Sequence, residues 1–357
     1  MTIIIAEAGV NHNGCEKTAM QLIDVAHEAG ADIVKFQTFK ASELVTHNAK
    51  KAEYQIHNSK IDESQFSMLS RLELSKNSHR KLAAHCNKLG IEFLSTAFDS
   101  DSLNFLISNF KLNHLKIPSG DITNAPLILK HAETGKDIIL STGMSTLGEI
   151  ENALGVIAFG YIGKHGLMPS AKAFQSAYFS ELGRELITQK VTLMHCTSEY
   201  PAPNKDINLN AIETLKASFK TKVGYSDHSI GIIVPIAAVA KGATIIEKHF
   251  TLDKSMTGPD HKASLDPREL KTMVQSIRDL ESTFGNGLKG PQPSEIKNID
   301  IARKSIIANR DIKKGSMICS EDLVVKRPGH GMSPFNYWNI SGKISSKNYK
   351  EGELIEE

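Results

Sequence analysis

The sequence predicts an α/β protein: a (β/α)8 TIM barrel over residues 1–285, a linker at 286–297 and a small β-rich domain at 298–357. Three observations carry this. Eight short β-branched runs, at residues 2–6, 33–37, 92–95, 114–117, 137–140, 191–195, 222–225 and 244–247, alternate with amphipathic stretches, the rhythm of a parallel barrel. Most of these runs are followed at once by polar or glycine residues, as strands are when their C-terminal ends carry a site. After Gly285, a cluster of Gly287, Gly290, Pro291 and Pro293 breaks the rhythm.

Taken in order, the first run has no basic leader and meets Glu7 within a few residues, so it reads as a strand and not a signal peptide. The stretch 16–29 places Ala19, Leu22, Ile23, Val25 and Ala26 on or near one face and stops at Gly30, which predicts a helix cladding the barrel. Residues 41–72 are polar and carry Tyr54, and read as a loop over the barrel mouth. Residues 155–187 are too long for a plain connection, and an extra helix is expected near 171–187. Helices are expected at 207–219 and at 267–284, the second with Pro267 in its first turn. Beyond 298 the pattern is short strands and turns. About 60 residues make a marginal core, so this module is expected to lean on a barrel, its own or a partner's.

Composition narrows the function. With 42 basic and 40 acidic residues the formal charge is +2, which gives no argument for nucleic-acid or membrane binding. The apolar run 230–240 contains Pro235 and is too short to span a bilayer. Four cysteines without a CxxC pair fit a reducing cytoplasm.

The chemistry gathers at predicted strand ends. His228 and His249 lie 249 − 228 = 21 residues apart, about one β/α step, with Asp227 and Glu247 nearby; they are either structural histidines or two ligands of one ion. Two protein ligands leave open positions, which suits an ion that polarises a carbonyl. Lys35 and Lys116 end or nearly end strands two and four, where a cation must snorkel out or meet an anion. The Ser119-Gly120 and Ser141-Thr142-Gly143 turns offer donors to such an anion. His12 either binds substrate or caps its turn, and Tyr200 either packs on a sugar face or sits in a turn stiffened by Pro201 and Pro203. Asp260 can bind hydroxyls or move protons, and Arg327 is an arm or a surface arginine.

Together Ala6-Glu7-Ala8-Gly9-Val10-Asn11-His12-Asn13-Gly14, Lys35-Phe36-Gln37-Thr38, Lys116-Ile117-Pro118-Ser119-Gly120, Ser141-Thr142-Gly143-Met144, Gly224-Tyr225-Ser226-Asp227-His228, Glu247-Lys248-His249-Phe250 and Gly258-Pro259-Asp260-His261 resemble the N-acetylneuraminate (sialic acid) synthase family over the whole chain. The tail, with Lys326-Arg327-Pro328-Gly329, resembles the antifreeze-like SAF domain, a β-clip. The resemblance implies a condensation of phosphoenolpyruvate with an N-acetylmannosamine-type aldose, in which water is consumed and phosphate released; legionaminic or pseudaminic acid synthases, using other acetamido sugars, are the alternative, and another barrel enzyme acting on phosphoenolpyruvate or pyruvate is a further one. It implies Mn2+ or Mg2+ on His228 and His249, and phosphoenolpyruvate on Lys35, Thr96, Lys116, Ser119, Ser141 and Ser226. The sugar falls to Gln37, Tyr200, Asp260 and Arg327, the last from the partner in a domain-swapped homodimer. Glu247 and Asp260 are the candidates for proton transfer, and Lys116 joins them as catalytic through the charge it offers the leaving phosphate. Asn13 stands where some members carry a carboxylate, and Ser198 where others carry Asn or Thr. Sugar choice is expected to lie in 41–72 and 155–187.

Overall fold

The computed structural model describes residues 1–53, 55–56, 63–163 and 166–356 and divides into two compact units, Met1–Phe284 and Gly285–Glu357. Tyr54 lies outside the described residues. The first unit holds eight parallel strands, β1 (Ile3–Gly9), β2 (Ile33–Thr38), β3 (Glu92–Ala97), β4 (His114–Ile117), β5 (Asp137–Ser141), β6 (Val191–Cys196), β7 (Lys222–Asp227) and β8 (Ile245–His249). They are hydrogen-bonded in the order β3-β2-β1-β8-β7-β6-β5-β4, with helices on the outside, a TIM-like barrel. β3 and β4 lie side by side without a ladder between them, tied at their N-terminal ends by Asn113 Nδ2 donating to Glu92 Oε2 (3.3 Å) and by His114 Nδ1 at 3.4 Å from Glu92 Oε1.

The two-residue period of a strand explains what each layer contains. Ile5, Ile33, Leu94, Ile139, Met194 and Ile245 point into the barrel and close its floor with hydrocarbon. Two residues further along the same strands stand Glu7, Lys35, Thr96, Ser141, Cys196 and Glu247, so a polar layer lies directly on the apolar one. The intervening residues, among them Ala6, Val34, Phe93, Leu140 and Ile246, face the helices and build the main core.

Several elements differ from expectation. The 41–72 segment is no plain loop: it contains helices Ala41–Leu44 and Gln65–Leu72, the second capped by Ser64 accepting from Ser67 N. Its apolar side, Met68 and Leu72, packs with Val10 and Phe39, which gives a nominally polar stretch a reason to fold. The 155–187 segment holds the end of helix Leu147–Ile162 and then two helices, Ala171–Phe179 and Glu181–Lys190, separated at Ser180. Ser180 caps the second by accepting from Gly183 N. Helix Ala211–Phe219 starts later than expected, after Asn208 turns with φ +50°. The expected linker is helical from Pro293, in a helix that runs Pro293–Ala302.

The second unit pairs β9 (Ser305–Ala308) antiparallel with β10 (Leu323–Lys326) over a core of Ile306, Ile312, Ile318, Ile340, Tyr349 and Ile355. No helix among the described residues is long and apolar enough to cross a membrane.

Candidate active site

The C-terminal strand ends enclose a cavity of about 350 Å³. Of the barrel residues singled out in the sequence, Lys35, Gln37, Thr96, Lys116, Ser119, Ser141, Tyr200, Ser226, His228, Glu247, His249 and Asp260 line it, whereas His12 and Asp227 do not. Arg327 belongs to the second unit, where its Nε donates to the Ala302 carbonyl at 3.1 Å and the side chain is exposed.

One side of the cavity is a buried ladder of charge. Lys116 Nζ donates to both Glu247 oxygens, at 2.9 and 2.8 Å; Lys35 Nζ lies 2.8 Å from Glu7 Oε2, 3.6 Å from Glu247 Oε1 and 3.2 Å from Thr96 Oγ1. Ser226 adds a hydroxyl to Glu247 at 3.2 Å. Burial pushes the Glu247 carboxyl up, but Lys116 and Lys35 outweigh it and bring it to about 2. Glu247 is therefore a fixed anion in this state, unlike the proton carrier expected from sequence. Burial raises Glu7 to about 7 despite Lys35, and burial alone raises Asp260 to about 7. These are the two carboxyls poised to exchange protons near neutrality.

Beside the ladder, the turns after β4, β5 and β6 converge. Gly143 N donates to Ser119 Oγ at 3.0 Å, and Ser119 Oγ lies 3.1 Å from Cys196 Sγ. A Cβ at Gly143 would stand 2.8 Å from Ser119 Oγ and closer still to Ser198 Oγ, so a larger residue there displaces these two hydroxyls.

The opposite side carries the imidazoles. His228 and His249 have ring centroids 5.7 Å apart, and Tyr200 lies 4.0 Å from the first and 5.7 Å from the second. Burial lowers His228 to about 4 and depresses His249 well below the ordinary range, so both rings are neutral at pH 7. His228 Nδ1 bonds to the Thr197 carbonyl at 2.6 Å, so the proton sits on Nδ1 and the Nε2 lone pair is free. His249 Nδ1 is buried without a hydrogen-bond partner, 4.0 Å from Asp260 Oδ2. A lone pair that is fixed on one ring and an orphaned nitrogen on the next are donors that a divalent cation fits. Among the described residues no cluster of three or more His, Cys, Asp or Glu is arranged to hold a metal, so the protein's contribution would be this pair.

Asp227, read from sequence as the acid beside His228, points the other way: it accepts from Tyr225, Ser229 and the fully buried Lys248. His12 is a turn residue, its Nδ1 accepting from Gly14 N at 3.0 Å. Glu7 and Cys196 line the cavity but were not among the singled-out residues. Alternation finds both, since each stands two residues beyond a floor residue, Ile5 and Met194.

The NeuB family model matches residues 22–289, and the SAF domain model matches 303–357. The chain belongs to the NeuB family. This NeuB-family chain is 50% identical over 356 residues to N,N'-diacetyllegionaminic acid synthase of Campylobacter jejuni, covering 100% of this chain and 99% of that protein. It is 30% identical over 358 residues to the N-acetylneuraminate-9-phosphate synthase of Homo sapiens, covering 99% and 91%. Among solved structures, the N-acetylneuraminic acid (sialic acid) synthetase of Leptospira borgpetersenii, in complex with citrate, aligns with a TM-score of 0.67 at 33% identity, over 84% of this chain and 90% of that one.

Proposed function

We propose that this NeuB-family chain condenses phosphoenolpyruvate with a diacetamidohexose and water to give phosphate and an N,N'-diacetyllegionaminic acid-type sugar. The observation that carries the reaction is a single cavity with two ammonium groups and a row of hydroxyls on one side and two neutral imidazoles on the other. The acceptor follows from likeness: the 50% relative makes a diacetyl sugar, while the N-acetylneuraminate-9-phosphate synthase stands at 30%. This replaces N-acetylmannosamine as the leading acceptor.

In this reading Lys35, Lys116, Thr96, Ser119, Ser141 and Ser226 hold the phosphate and carboxylate of phosphoenolpyruvate. The ladder is neutral when empty, two lysines against Glu7 and Glu247, and Glu7 is the member that protonates most readily as a substrate anion enters. His228 and His249 hold Mn2+ or Mg2+. Such an ion supplies Lewis-acid polarisation of the acceptor aldehyde. C3 of phosphoenolpyruvate forms a bond to the aldehyde carbon, and positive charge develops at C2. The new alkoxide takes its proton from Asp260, whose carboxyl burial raises above the ordinary carboxylate range. Water adds to C2 and gives up a proton, and the C2–O bond to phosphate then breaks to leave the keto acid. Gln37 and Tyr200 border the sugar. Arg327, offered by the second unit of a partner subunit in a domain-swapped dimer, is assigned as an arm on the acceptor, because among the described residues its guanidinium is engaged through Nε alone and the side chain is exposed.

Phosphate release from phosphoenolpyruvate is the test. Release is expected to require a diacetamidohexose, to be slower with N-acetylmannosamine, to stop on chelation and to return with Mn2+ or Mg2+. No release with any acetamido sugar would sink the synthase; full activity after complete chelation would remove the metal.

A further inference from the structure

We infer that one face of the Gln65–Leu72 helix is the subsite that recognises the acceptor's second acetamido group. The inference rests on the function proposed above. Gln65, Met68, Leu69 and Leu72 stand at positions i, i+3, i+4 and i+7, the spacing of a single helical face, and all four line the cavity. Leu44 and Phe98 line it beside them.

This wall differs in chemistry from the rest of the site. The ends of β4 to β7 and the turns after them present hydroxyls, a thiol, the Met144 thioether and the His228 imidazole, whereas the helix face presents hydrocarbon and one carboxamide. Met68 and Leu72 are buried, but Leu44, Leu69 and Phe98 keep part of their surface open toward the cavity, and the half-buried Gln65 amide has no partner among the described residues. Hydrocarbon around one donor and acceptor suits an acetamido group: the Gln65 Nε2–H donates to its carbonyl, and its methyl rests on Leu69, Leu44 and Phe98. A hydroxyl at the same place covers less of this hydrocarbon than an acetamido methyl does. The two helices after Ile162, at Ala171–Phe179 and Glu181–Lys190, contribute nothing to the lining, which confines acceptor choice within the expected pair of segments to 41–72.

The experiment compares kcat/KM for a diacetamidohexose and for N-acetylmannosamine in the unsubstituted enzyme, Gln65→Leu and Leu69→Asn, with KM for phosphoenolpyruvate measured alongside. The preference for the diacetamido acceptor is expected to fall by about tenfold or more in each variant, through KM for that acceptor, with KM for phosphoenolpyruvate within about twofold. A preference that does not change, or an equal loss with both acceptors, would overturn the subsite. Failure of the unsubstituted enzyme to release phosphate with any acceptor would instead overturn the parent reading.

Discussion

Glu247 shows how a single side chain sets the character of the anion side. It accepts two hydrogen bonds from Lys116 and one from Ser226 and lies 3.6 Å from Lys35, all away from bulk water. Removing one member of a buried ion pair strands the other, at a typical cost of about 3–5 kcal/mol. Glu247→Gln is therefore expected to lose about 3 kcal/mol of stability or more, and millimolar phosphate to restore part of it by giving the lysines a counter-charge. Urea melts with and without phosphate measure this; a variant as stable as the parent, or one indifferent to phosphate, contradicts it. At this scale the candidate residues were legible because they stand at strand ends. Orientation was legible too, had alternation been applied: Asp227 immediately precedes His228 and so faces away from it, whereas Glu247 and His249, two apart, share a face. Charge balance was not legible, because Glu7 meets Lys35 only across the β1–β2 pairing.

Elements follow the same division. All eight strands and most cladding helices were readable, since outward apolar residues alternate with inward ones along each strand, and six of the strands add a hydrocarbon floor residue. What was missed is structure made by contacts remote in sequence: the Gln65–Leu72 helix folds against Val10 and Phe39, and no local pattern reveals that. Helix Ala125–Glu133 offers a test of packing. His131 is buried at 1% exposure, its Nδ1 bonds to the Leu127 carbonyl at 2.8 Å, and burial lowers it to about 4. The folded form thus resists protonation relative to the unfolded chain near 6.5. The stability this gives is present above pH 6.5 and is lost as pH falls through about 4. His131→Leu should flatten the acid limb, recovering up to about 3 kcal/mol of the difference between pH 7 and pH 4. Parallel melting curves of variant and parent over that range would argue against a buried neutral imidazole.

At the scale of the whole molecule, the two-unit division was visible as a cluster of glycine and proline, whereas the helix inside the supposed linker was hidden because Pro293 reads equally as a breaker and as a helix start. The break in the hydrogen-bonded ladder at the point of closure was not visible at all. Between β3 and β4 the ladder is missing, and among the described residues Glu92, Asn113 and His114 make the hydrogen bonds that tie the strands, at the end remote from the cavity. Amide protons along this seam are expected to exchange about tenfold faster than those between β1 and β8, and phosphate or phosphoenolpyruvate is expected to slow them selectively. Uniform protection around the barrel, or no local effect of the anion, would count against it. Thr96 and Lys116 stand on the two lips of this seam, at its open end. A substrate anion held by both, as proposed above, would bridge the two strands where the chain itself leaves the ladder open.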